Sequence, residues 1–230
     1  MGRDAVVRGW WEAGEASFAG VVNGLDDASL EAPSRLATWN RATVVAHVAT
    51  NAEALCNLLD WAATGVETPM YPSLEARSAL IAAAAALPRD ELRRRLAEAR
   101  SRFAERVEQL PEAAWDATVR TRDGREIPAS EVLWMRAREV WVHAVDLDAG
   151  LDFEDIPEDV LVTLCDDVEA MWARRGVAPV WALAAGSRRW GAGPVVTEGS
   201  LAAVAAVLTG RRPPSSLGAA AAQLDVPAWL

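Results

Sequence analysis

Apolar residues recur at steps of three and four through the first two thirds of the sequence, a period that commits this stretch to amphipathic helices packed on one another. Four helices are expected. The first covers about residues 4–22 and stops near Asn23 and Gly24; the second begins after Thr38, continues towards Trp61 and stops by Gly65. A third helical region starts at Ser73 and runs past Pro88, which divides or kinks it. Beyond that proline one face is charged, and the other carries Leu92, Leu96, Phe103, Val107 and Leu110. The run TVRTRDGREI sets Asp123-Gly124 between two short extended segments, a hairpin signal. Ser130 is then expected to cap a fourth helix ending around Gly150.

From Asp152 the texture changes. A helix over about residues 157–174 precedes short runs at 180–184 and 195–196, broken by Gly186, Gly191 and Gly193, which read as strands and turns. Ser200 opens an alanine-rich helix ending at Gly210, and Arg211-Arg212-Pro213-Pro214 stops it before an irregular tail. The expected fold class is therefore α plus α+β: a four-helix bundle over residues 1–152, then a small α+β domain over 153–230.

Composition excludes several functions. With 33 acidic against 23 basic residues the formal net charge is −10, which repels nucleic-acid phosphates and anionic lipid surfaces, so neither partner is expected. Every basic residue is arginine, so a Walker-type lysine loop and Schiff-base chemistry are excluded. No signal-peptide core opens the chain, and no stretch reaches the roughly 18 uncharged apolar residues of a membrane span, so a cytoplasmic location is expected. Cys56 and Cys165 lie far apart without a CxxC pattern, which fits a reduced compartment and no thiolate metal site.

The chain has two histidines, His47 and His143, each inside a predicted helix of largely apolar sequence. Glu139 precedes His143 by four residues, so the two side chains lie about 40° apart around the axis, and Asp146 falls on the same stripe. Val140, Trp141, Val142, Ala144 and Val145 surround this row, so its charge needs a buried partner. A divalent metal held by Glu139 and His143 from one helix and His47 from a facing one meets that need. Such a His2Glu set leaves an open position, as catalytic metals do. The plainer alternative is a Glu–His hydrogen-bonded pair, with His47 satisfied by Thr43, Thr50 or Asn51. Asp146 reads as a group behind a ligand, or a cap.

The segments WNRATVVAHVATNAEAL and WMRAREVWVHAVDLDAG resemble the two metal-binding signatures of the mycothiol-dependent maleylpyruvate isomerase family, a branch of the DinB-like metal-binding four-helix bundles. TRDGREIPAS is similar to that family too, and VTEGSLAAVAAVLTGR with the terminal DVPAWL resembles its small C-terminal α/β, sterol-carrier-like domain. The resemblance implies that His47, Glu139 and His143 bind a divalent metal, usually zinc in the family. It implies mycothiol as thiol cofactor and cis–trans isomerisation of maleylpyruvate in gentisate breakdown. It also implies an important arginine in the second domain, for which Arg211 in the LTGR run is the best match; Arg211 is expected to close over the bundle and grip a substrate carboxylate. Arg136, Arg138 and Arg212 are the other cations in view. Cys56, about 180° round the helix from His47, and Cys165 read as packed side chains, so the thiol is expected from outside. Trp134 and Trp141 are given no catalytic role. Two other functions remain open: a mycothiol S-transferase that stops at the thioether adduct, and a noncatalytic metal-binding or regulatory module.

Overall fold

The computed structural model describes residues 3–229; Leu230, the end of the DVPAWL motif, lies outside the described residues. The chain divides after Gly150 into two compact units. The first holds helices α1 (Arg3–Gly24), α2 (Asp27–Leu30), α3 (Arg41–Thr64), α4 (Leu74–Ala85) and α5 (Arg89–Gln109), a hairpin of β1 (Thr118–Arg120) and β2 (Glu126–Pro128), and α6 (Glu131–Asp146). The second holds α7 (Glu158–Arg174), β3 (Trp181–Ala185), β4 (Arg188–Trp190), β5 (Val195–Glu198) and α8 (Leu201–Leu208). None of the described helices is long and apolar enough to cross a membrane.

In the first unit α3 is the core helix, packed by α4, α5 and α6. Its sequence is apolar around most of its circumference, and Val44, Val45, Ala46, Val48, Ala49, Leu55, Leu58 and Leu59 are fully buried. Asn40 sets its start, the side-chain oxygen accepting from the Thr43 amide, and left-handed Gly65 (φ 71) ends it. Pro88 separates α4 from α5, which buries the expected stripe of Leu92, Leu96, Phe103 and Val107. Helix α1 lies on α6. Gly14 permits the close approach, since a Cβ there would meet Val140 Cγ2 at 2.6 Å and Trp141 Nε1 at 2.8 Å.

Asp123-Gly124 turns the hairpin, with Gly124 at φ 84, and β1 pairs β2 antiparallel from Thr118↔Pro128 to Arg120↔Glu126. Two expectations change. Ser130 stands before α6 in the helical region and makes no side-chain cap; its amide bonds instead to the Trp115 carbonyl. The chain also leaves α6 at Leu147 rather than Gly150, turning through Asp148 (φ 50).

The second unit carries a sheet in the order β4-β3-β5, with β3 antiparallel to β4 and parallel to β5. Strand β4 falls within what reads in sequence as turn, because glycines flank it; Gly186 (φ 58) and Ser187 make the tight connection to β3. Gly193 has no room for a side chain, since a Cβ would lie 1.9 Å from the Val180 carbonyl carbon. Helix α7 packs on α8 and β4, where Asp166 accepts from Trp190 Nε1 at 2.7 Å.

One buried ion pair ties the long helices of the bundle together. Arg136 on α6 is fully buried. Its Nε donates to Glu15 Oε1 on α1 at 2.7 Å, and its Nη1 donates to the Val48 carbonyl at 2.7 Å and Asn51 Oδ1 at 3.0 Å on α3. Arg100 on α5 donates to the second Glu15 oxygen at 2.7 Å. Burial pushes the Glu15 carboxyl up, but the Arg136 and Arg100 guanidiniums overcome this and hold it below its ordinary range. Arg136→Met should therefore cost on the order of 3 kcal/mol, because it leaves a buried carboxylate short of its partner. Replacing Glu15 by Leu as well should recover most of that loss, a coupling measurable by denaturant titration of the four proteins in the double-mutant cycle.

Candidate metal centre

His47 projects from the second turn of α3, and Glu139 and His143 project from one stripe of α6, which packs on α3. His47 Nε2 lies 3.0 Å from Glu139 Oε2, and His143 Nε2 lies 3.3 Å from the same oxygen. The two imidazoles meet edge to face with centroids 4.8 Å apart. One ligand atom from each of the three residues falls within 4.8 Å of the others. Both histidines are buried, and the Glu139 side chain is 14% exposed, so the group is largely shielded from solvent.

The donor chemistry fits a divalent ion of the zinc type, with two imidazole nitrogens and one carboxylate oxygen converging and no fourth protein ligand among the described residues. Behind His143, Asp146 Oδ2 accepts from Nδ1 at 2.9 Å and is itself fully buried. That bond fixes the ring's orientation and leaves Nε2 facing the group, the usual support for a metal-bound histidine.

The two rings carry opposite electrostatics in the metal-free chain. Burial opposes charge on His143, but the Asp146 and Glu139 carboxylates overcome it and push its pKa up to about 9. For His47 burial dominates, the charges of His143 and Arg77 add to it, and the pKa falls to about 4 despite the pull of Glu139. Glu139 is pushed up by burial, yet hydrogen bonds from both histidines hold it well below the carboxylate range. The resting group is therefore an imidazolium, a carboxylate and a neutral imidazole.

The polar neighbours on α3 do not satisfy His47. The Thr50 hydroxyl returns to the Ala46 and His47 carbonyls, Thr43 bonds Asn40, and Asn51 serves Arg136. Three residues absent from the sequence reading surround the group instead. Trp39 packs on the His47 ring at 5.3 Å between centroids, Arg77 Nη2 approaches His47 Nδ1 at 3.4 Å, and the Tyr71 ring lies under the Arg77 guanidinium. Trp39 just precedes the Asn40 cap in WNRATVVAH, which was a signal for it; Arg77 and Tyr71 are 30 and 24 residues from His47, beyond any local pattern.

The structure also places the remaining candidates. Arg136 is committed to Glu15 inside the bundle, which removes it as a substrate cation, and Arg138 is half-buried on α6. In the second unit Arg212 is held by Glu154 through two bonds of 2.9 and 2.8 Å and by Asp152 at 2.8 Å. Arg211 follows α8, donates to the Thr209 carbonyl at 2.8 Å and lies over the Trp229 ring. Trp141 donates to the Trp10 carbonyl and Trp134 meets the Trp10 ring, so both belong to the α1–α6 packing. Cys56 lines a cleft of about 380 Å³ beside Arg102 and Arg106, but burial and then Asp60 push its thiol up to about 11. Burial also pushes Cys165 upward, so neither cysteine is poised as a thiolate.

The pattern of the family described as the mycothiol maleylpyruvate isomerase N-terminal domain matches residues 11–148, a span that includes all three converging side chains. A crystal structure of a mycothiol-dependent maleylpyruvate isomerase is 36% identical, with a TM-score of 0.92 over 99% of this chain and 98% of that one. A structure of a histidine-to-alanine mutant of a mycothiol-dependent maleylpyruvate isomerase is 37% identical, with the same TM-score and coverage. A search of curated proteins found no match. The chain belongs to the mycothiol-dependent maleylpyruvate isomerase family.

Proposed function

We propose that this chain is a metal- and mycothiol-dependent cis–trans isomerase of an unsaturated oxo-diacid such as maleylpyruvate. The observation that carries the reading is the convergence of His47, Glu139 and His143, with Asp146 behind His143, in a chain of this family.

A carbon–carbon double bond conjugated to carbonyls does not rotate freely. Addition of a thiolate sulfur to one alkene carbon turns it into a single bond and moves the electron pair into an enolate. Rotation follows, and return of that pair expels the thiolate and leaves the trans alkene, so thiol is regenerated and nothing is oxidised or reduced. His47, Glu139 and His143 would hold the metal, zinc being the expected ion. When bound, the ion would supply the Lewis acidity that favours thiolate at neutral pH or polarises the substrate's oxo groups. Asp146 holds the His143 ring in place, and Trp39 packs against the His47 ring. With Cys56 and Cys165 both protonated and buried, the thiol comes from mycothiol. A diacid needs a cation in a protein of net charge −10, and Arg211 is the proposed one, its planar fork matching a carboxylate through two bonds.

The direct assay supplies zinc, mycothiol and maleylpyruvate. Loss of the cis acid with appearance of the trans isomer, and no consumption of thiol, is expected. Accumulation of a stable thioether would make the chain an S-transferase, and the absence of any turnover by the zinc-loaded protein would leave a binding module. Arg211→Ala should keep metal and fold while kcat/KM falls on the order of 10²-fold; an unchanged value would remove it as the clamp.

Chelation gives a pH test independent of turnover. In the metal-free chain His143 titrates near 9, against 6.5 unfolded, so its charged interactions stabilise the fold fully below pH 6.5 and are lost as pH rises through 9. Thermal melts of chelated protein should show Tm falling across that window. Zinc-loaded protein, with the proton displaced, should lack this fall.

A further inference from the structure

Arg77 stands in the first turn of α4, whose start is set by Ser73 accepting from the Ala76 amide. Its guanidinium carbon is 5.9 Å from the Tyr71 ring centroid, and its Nη2 is 3.4 Å from His47 Nδ1. Among the described residues no carboxylate lies within ion-pair distance of it, whereas Arg95, Arg106 and Arg136 of the same unit each have one, in Glu53, Asp60 and Glu15. A half-buried guanidinium without an acid, aimed at a three-ligand group in a strongly acidic chain, needs an explanation.

The hydrogen-bond chemistry of His47 supplies one. A guanidinium only donates, so in the structure Nδ1 accepts and the ring proton sits on Nε2, where Glu139 accepts it. Nε2 is also the nitrogen turned toward Glu139 and His143, and hence the one a metal would use. A neutral imidazole coordinated through Nε2 carries its proton on Nδ1, and an N–H facing a guanidinium sets donor against donor. Ligating histidines normally give that N–H to a carboxylate, a carbonyl or water, as His143 is placed to give its own to Asp146. His47 has the reverse arrangement, so the Arg77 contact and the metal-loaded ring exclude each other.

We propose that Arg77 is a carboxylate-binding arm, docked on His47 in the metal-free site and released by metal loading to take one carboxylate of the anionic substrate. This rests on the metal site and diacid substrate proposed above, and adds a second cation carried by the bundle itself. The arm makes metal and anion binding cooperative: the metal frees the guanidinium, and a planar carboxylate then occupies its fork through two charge-assisted bonds. The Tyr71 ring, packed against the guanidinium, keeps the released arm near the group.

The test uses the full chain and Arg77→Met, which keeps an unbranched stem against Tyr71 and removes the charge. Zinc affinity is read by competition with a chromophoric chelator. Binding of maleate, without thiol, is read by calorimetry on zinc-loaded protein. Arg77→Met should bind zinc as tightly as the parent or more tightly, while its maleate affinity falls tenfold or more. If Arg77 merely orients His47, zinc affinity should instead fall 10–100-fold with maleate binding unchanged, and that result overturns the proposal. Normal zinc binding with maleate indifferent to the substitution overturns the arm alone. A parent chain that binds no zinc overturns the arm and the metal reading together.

Discussion

Burying a guanidinium and a carboxylate in a helical core costs several kcal/mol per ion unless their hydrogen-bonding groups find partners. The Arg136–Glu15 pair meets most of that demand by drawing on α1, α3, α5 and α6 at once, leaving Arg136 Nη2 without a hydrogen bond among the described residues. Its bond to the Val48 carbonyl matters most for the site. Val48 follows His47 on α3, and Arg136 precedes Glu139 by three residues on α6, so this contact sets the register of the two helices and brings His47 Nε2 to Glu139 Oε2. A slip of one residue along either helix would rotate a ligand by about 100° and take it out of the group.

The polar groups in this core thus have separate tasks. Arg136 and Glu15 neutralise each other and are closed to solvent chemistry. His47, Glu139 and His143 converge on one point and are left one cation short of a stable arrangement, which the metal-free chain makes good with a proton on His143. A divalent ion in place of that proton would balance both carboxylates, Glu139 and Asp146. The two histidines differ in what stands behind them, an acid for His143 and a guanidinium for His47, so an ion would find the first ring already oriented, and the proposed release of Arg77 concerns the second.

Much of this was legible in the sequence. Helical periodicity located the long helices, since each buries an apolar face, and spacing alone put Glu139, His143 and Asp146 on one stripe. The facing residue could be named because the sequence offers just one other histidine. Contacts that depend on distant segments were not legible. Arg136 reads as a cation beside Glu139 until Glu15, 121 residues away, is seen to hold it. Arg77 lies in an alanine-rich helix with no local signal, and α4 brings it to His47 only through packing on α3. Strand β4 was hidden because glycines bracket three residues too short to show alternation. Ser130 looked like a cap by residue type, but its backbone is already helical and its amide is taken by Trp115.

The central claim is that two histidines and one glutamate of the bundle hold a single divalent ion. X-ray absorption on zinc-loaded, thiol-free protein tests it most directly, with zinc per chain measured on the same sample. The account predicts one zinc per chain, with two imidazole nitrogens at about 2.0–2.1 Å and light oxygen donors completing the shell, and one imidazole fewer in His47→Ala. A sulfur in the shell, or an imidazole count unchanged by His47→Ala, would contradict it.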